Sequence, residues 1–139
     1  MRTLDVIEAE IERLEARSDA PIRSVERLVA LAEEAMESWL VAHDRAPTSD
    51  RREGSRLLAL HHQAARGNPS FNACRETCRE LVYAANCLAA APAGADSTRH
   101  AQNAFAITRH LVLFLSAKLQ VAGFGEFCCA SKPIRAAGR

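Results

Sequence analysis

Gly67-Asn68-Pro69 is the break that most constrains how this chain can fold. Glycine suits the left-handed position after a helix, asparagine caps a following helix, and proline is tolerated in a first helical turn. Apolar residues recur at helical spacing on both sides of it. Upstream, Leu57, Leu58, His61, Ala64 and Ala65 share a face; downstream, Phe71, Cys74, Cys78, Leu81, Val82, Ala85 and Leu88 form one stripe. So short a link between two helices predicts an antiparallel hairpin. Counting outward from the turn sets His61 level with Cys74 and Leu57 level with Cys78, because a helix rises about 1.5 Å per residue. An imidazole and two thiols are thereby expected on one inner surface.

The same periodicity extends along the chain and predicts an all-α fold. The expected form is an antiparallel up-down bundle of four long helices plus an N-terminal accessory helix, in one domain over residues 1–139. The accessory helix is predicted at about 3–18, with Thr3 as cap and Asp5 and Glu8 near its positive end. Its narrow seam of Leu4, Ile7, Ile11 and Leu14 suits packing on the bundle or pairing with a second subunit. Asp19-Ala20-Pro21 opens a second helix over about 22–45, with a core wall that includes Val25, Leu28, Met36, Trp39 and Leu40. His43 falls in its last turn, where an imidazole acts as a capping group.

Asp50 and Glu53 are spaced as a capping box, so the third helix is predicted over about 50–66. The fourth spans about 69–91, and Pro92-Ala93-Gly94-Ala95-Asp96-Ser97 forms a loop. The fifth, about 97–122, is apolar around most of its circumference, from Ala101, Phe105 and Leu111 to Val121 and Ala122. A helix of that kind is either central or faces a partner chain, and it supplies the argument for a homodimer or protein partner. Residues 123–139 read as a short, basic, irregular tail, with Phe124 and Phe127 tucked back onto the bundle.

Composition narrows the function classes. With 139 residues, 48% of them hydrophobic and 25% charged, the chain can build an ordinary core. Its charge is unevenly placed. Residues 1–44 carry five arginines against eleven acidic residues, a net −6; residues 45–139 carry thirteen basic against six acidic residues, a net +7. Mutual neutralisation inside the bundle is the expected use of this asymmetry, and steering of a charged partner is the other. Arg51, Arg52, Arg56 and Arg66, with Arg75 and Arg79, are placed to form a basic patch at the hairpin. The absence of lysines and interleaved aromatics there, and a total net charge of +1, argue against nucleic-acid binding. The opening Met-Arg-Thr-Leu-Asp-Val-Ile-Glu lacks the apolar core of a secretory signal, and no apolar run approaches the roughly 20 residues of a membrane span. Five cysteines, an odd number without framework spacing, fit reduced thiols and a cytoplasmic protein.

The chemistry on offer is sparse. Cys74 and Cys78 stand four residues apart on one helical face, and with His61 they are the candidate metal ligands, suited to Zn or Cu(I), with Cys128 or Cys129 as a fourth. Cys87, nine residues beyond Cys78, points about 180° away and is excluded from that set. The plain alternative is that Cys74 and Cys78 are small buried hydrophobes and that no cofactor is bound. Thiol redox sensing is a related reading, although four-residue helical spacing suits a disulfide poorly. No Glu-x-x-His pair, phosphate-binding glycine loop, zinc-protease motif or serine elbow occurs, so no catalytic residue is assigned. His62, more exposed by pattern than His61 and followed by Arg66-Gly67, is the residue a phosphorelay would use. The favoured expectation is a small intracellular binding or regulatory protein acting through protein–protein contacts. The thiol and imidazole site is second, and phosphorelay is third.

Overall fold

In the computed structural model the described residues are 3–17, 21–91 and 94–120. They form five α-helices that pack against one another: α1 (Leu4–Arg17), α2 (Pro21–Ala42), α3 (Arg56–Ala65), α4 (Arg75–Ala90) and α5 (Ser97–Gln120). A 3₁₀ helix over Pro69–Cys74 leads into α4. The expected tail at 123–139, with Phe124, Phe127, Cys128 and Cys129, lies outside the described residues.

The centre is α5, which packs against α1, α2 and α4. Ala101, Ala104, Phe105, Leu111, Val112, Phe114 and Leu115 are all buried along it, so most of its apolar circumference is covered within the chain. Of the two roles its sequence allowed, it takes the central one, and it no longer argues for a second subunit. Leu113 is the exposed exception at 52%. The seam of α1 is covered as well: Leu4, Ile7 and Ile11 are buried, and α1 packs on α2 and α5. Thr3 begins that helix as expected, its hydroxyl accepting from the Val6 amide at 3.4 Å. Each fully covered Leu, Ile or Phe contributes roughly 1.5–3 kcal/mol against exposure, so the apolar faces outweigh any single surface ion pair.

Besides the end of α2, which falls at Ala42 and not near 45, with Asp44 at φ +59°, two boundaries differ from the sequence expectation. First, α3 begins at Arg56, because Glu53 and Gly54 both take positive φ, 54° and 80°, which no right-handed helix accommodates. They form a tight turn closed by reciprocal backbone bonds of 2.9 Å between Arg52 and Ser55. Ser55, and not Asp50, is the cap, its hydroxyl accepting from the Leu58 amide. Second, Asn68 does not cap the following helix. Its side-chain amide turns back and donates to the carbonyls of Ala64 (3.1 Å) and Arg66 (3.4 Å), closing α3. Gly67 takes φ +79°, the rod breaks, and α3 packs against both the 3₁₀ helix and α4.

Phe71 of the 3₁₀ helix sits at the middle of the core. Its ring lies 4.6 Å from Trp39 and 5.2 Å, edge-on, from Phe114. Lys118 of α5 donates to the Ser70 hydroxyl at 2.6 Å, with its ammonium 5.4 Å from the Phe71 ring centre. These contacts hold the start of α4 against α5. Among the described residues no helix is long and apolar enough to cross a membrane.

Candidate functional site

The residues singled out by the periodicity are interior residues. His61 is 4% exposed, and Cys74 and Cys78 are fully buried. The Nε2 of His61 donates to the Phe71 carbonyl at 2.8 Å. Burial pushes the His61 pKa below the ordinary histidine value; the Phe71 bond opposes that shift, while the charge of Arg75 and then His62 add to it. Cys78 is pushed up to about 12, chiefly by burial and then by neighbouring Cys74. Among the described residues, no group of three or more His, Cys, Asp or Glu side chains is placed to hold a metal ion. The imidazole and the two thiols share the interior, as the pattern predicted, with the His61 ring engaged by a backbone carbonyl. Cys87 is half-buried, and the Cys128 and Cys129 candidates lie outside the described residues.

His43 serves α2 as a cap: its Nδ1 donates to the Trp39 carbonyl at 2.9 Å and its ring stacks on the Trp39 indole at 4.0 Å. The indole N–H of Trp39 is buried with no hydrogen-bond partner among the described residues.

The most distinctive surface lies on the other side of the turn. Arg52, His62, Arg66, Arg75 and Arg79 line a hollow of about 280 Å³, together with Leu58, His61, Ala65 and Asn72. Among the described residues, no Asp or Glu is in that lining. A second hollow of about 300 Å³ adjoins it, sharing Arg52, His62 and Arg66, and adds Arg51, Thr48, Asp50, Ala59 and Gln63. Four parts of the chain build this surface: the 43–55 loop, α3, the 3₁₀ helix through Asn72 and the first turns of α4.

The loop is fastened by specific bonds. Gln63 accepts from the Thr48 amide at 2.9 Å and donates to the Ala46 carbonyl at 2.8 Å, and Arg45 donates to the Gln63 carbonyl. Arg56 donates to the Thr48 carbonyl at 3.0 Å. Its guanidinium also faces Glu37 at 2.5 Å and Glu33 at 3.6 Å on α2. Burial raises the Glu33 pKa above the ordinary carboxylate value, against the lowering effect of Arg56.

These pairings sort the basic patch. Arg56 is committed to α2. Arg51 donates to the Gly54 carbonyl at 3.2 Å. Arg79 holds Glu53 through both carboxylate oxygens, at 2.9 and 2.6 Å. That last pair is about half exposed, 40% and 51%, so solvent screens it and it can yield Arg79 to a ligand. Arg52, Arg66 and Arg75 are exposed, and no side chain among the described residues pairs with them. The opposite charges of the two halves do meet elsewhere, at Arg56 with Glu33 and Glu37, and at Arg109 with Glu15. At the hollow they do not meet, and positive charge is left facing solvent.

His62 lines both hollows and is exposed, as its place on α3 predicted. The sequence pattern had identified the arginines as a patch. It carried no signal for which of them would remain unpaired, nor for the contribution of Asn72.

Compared with known protein families, with curated proteins and with solved structures, the chain matches none.

Proposed function

We propose that this chain is a small binding or regulatory protein that docks an acidic segment of a partner protein along the α3–α4 corner. In this reading the molecule is an up-down bundle with α1 as an accessory helix, working in the cytoplasm, where its thiols stay reduced. One observation carries the reading: three exposed guanidinium groups, without side-chain partners among the described residues, line a hollow to which no described residue contributes a carboxylate. Guanidinium forks are well matched to carboxylate oxygens, and unpaired positive charge facing a concavity raises the local concentration of an anionic ligand. Two adjoining hollows with a shared wall suit an extended chain better than a compact metabolite. Among the described residues neither lining contains Phe, Tyr or Trp, which leaves nucleic-acid bases without their usual stacking platform there.

Fluorescence anisotropy with a labelled Glu- and Asp-rich peptide tests this reading. Binding is expected to weaken steeply with added salt and to fall at least tenfold in an Arg66→Glu/Arg75→Glu double variant with unchanged helicity. Equal binding by the wild type and that variant would place the interaction elsewhere and refute the reading.

A further inference from the structure

We infer that the hollow lined by Arg52, His62, Arg66 and Arg75 recognises a phosphoryl group carried on the acidic segment, as on a phosphorylated serine or threonine. This rests on the docking reading above and names the ligand chemistry of the same site.

Charge and donor number both favour a phosphoryl group over a lone carboxylate. Arg52, Arg66 and Arg75 bring three positive charges to one lining, and Arg79 stands beside them in a weak, exposed pair with Glu53. A single carboxylate offers one negative charge and two oxygens. It would neutralise only one of the three charges and leave the lining net positive. A phosphoryl monoester carries about −1.5 to −2 charges at neutral pH and three terminal oxygens, enough to engage several guanidinium forks together. His62 adds a ring nitrogen to the same wall, and Asn72 a side-chain amide. Size agrees. At about 280 Å³ the hollow falls at the small end of ligand sites, fit for a head group and its linking carbon chain. Leu58 and Ala65 supply the apolar floor against which that short chain would lie.

The test uses the full chain and three labelled acidic peptides, identical except for serine, glutamate or phosphoserine at the centre. A single-stranded oligonucleotide of matched charge is a fourth probe. The phosphoserine peptide is expected to bind at least tenfold more tightly than the glutamate peptide. That advantage should vanish in Arg66→Gln/Arg75→Gln and persist in Arg99→Gln, which alters an arginine paired with Asp96 away from the hollow. Inorganic phosphate at millimolar concentration should displace the phosphopeptide. Equal binding of the glutamate and phosphoserine peptides, still dependent on Arg66 and Arg75, overturns this inference while supporting the docking reading. Binding of neither peptide overturns both. Tighter arginine-dependent binding of the oligonucleotide than of the phosphopeptide also overturns both, and makes the hollow a nucleic-acid site.

Discussion

Acidification should destabilise this protein through His61, and the size of the effect can be bounded. The ring is 4% exposed, donates to the Phe71 carbonyl and has its pKa lowered by burial, so it is neutral in the folded state. In the unfolded chain it titrates near 6.5. Between its native pKa and that value, unfolding takes up a proton. Stability is therefore fully present above about pH 6.5 and is lost as pH falls below it. One such group contributes a slope of at most about 1.4 kcal/mol per pH unit, which integrates to no more than roughly 1.4 kcal/mol between pH 7.5 and 5.5. That is a measurable fraction of a typical total of about 5–15 kcal/mol. Glu33 works in the opposite direction. Its raised pKa makes the folded state bind a proton more readily, so acid favours folding at that site. The two are separated by comparing wild type with His61→Gln, whose amide can still donate to the Phe71 carbonyl but does not titrate. Urea unfolding of both at pH 7.5 and 5.5 should show a larger acid loss in the wild type, by up to about 1.4 kcal/mol. Losses equal to within about 0.3 kcal/mol would mean that His61 is not buried as a neutral ring, and the reasoning about the interior would fail.

Of the three described cysteines, Cys87, half-buried, should be alkylated first in the native protein, while Cys74 and Cys78 react only on unfolding; rapid native labelling of Cys78 by mass spectrometry would contradict its burial. Because Cys78 is raised to about 12, its contribution to stability is complete below pH 9 and is lost as pH rises from there towards 12, which unfolding titrations of wild type and Cys78→Ala would detect. Gly67→Ala places a Cβ at φ +79°, with open space around it, and should cost about 1 kcal/mol from backbone strain alone, read by urea unfolding. Ile7→Ala empties a fully buried position between α1 and the bundle and should cost about 2–5 kcal/mol; a near-neutral result would show that α1 is not docked.

Much of this architecture is legible in the chain because helical periodicity is a local property. Leu57 through Ala64 and Phe71 through Leu88 announce their inner faces by spacing alone, and Gly67 marks where the rod must break. Local spacing fails to fix a boundary where a distant or competing partner decides it. Asp50 and Glu53 have capping-box spacing, yet the Glu53 carboxylate is taken by Arg79, 26 residues away, and the tight turn at Glu53-Gly54 moves the cap to Ser55. Asn68 is as suited to closing one helix as to opening the next, and the free carbonyls of α3 claimed it.

The spacing of apolar residues, then, determined that this protein would be helical, where its longest helices lie and that His61, Cys74 and Cys78 would face inward. Tertiary structure alone decided that α5 would be enclosed by its neighbours. It also decided which arginines of the patch would find acidic partners and which would be left at the surface of a hollow. The physical reason is one of range. Burial follows from a repeat of three to four residues, whereas an ion pair depends on distances between groups as far apart in the chain as Glu15 and Arg109, 94 residues, which no local pattern encodes.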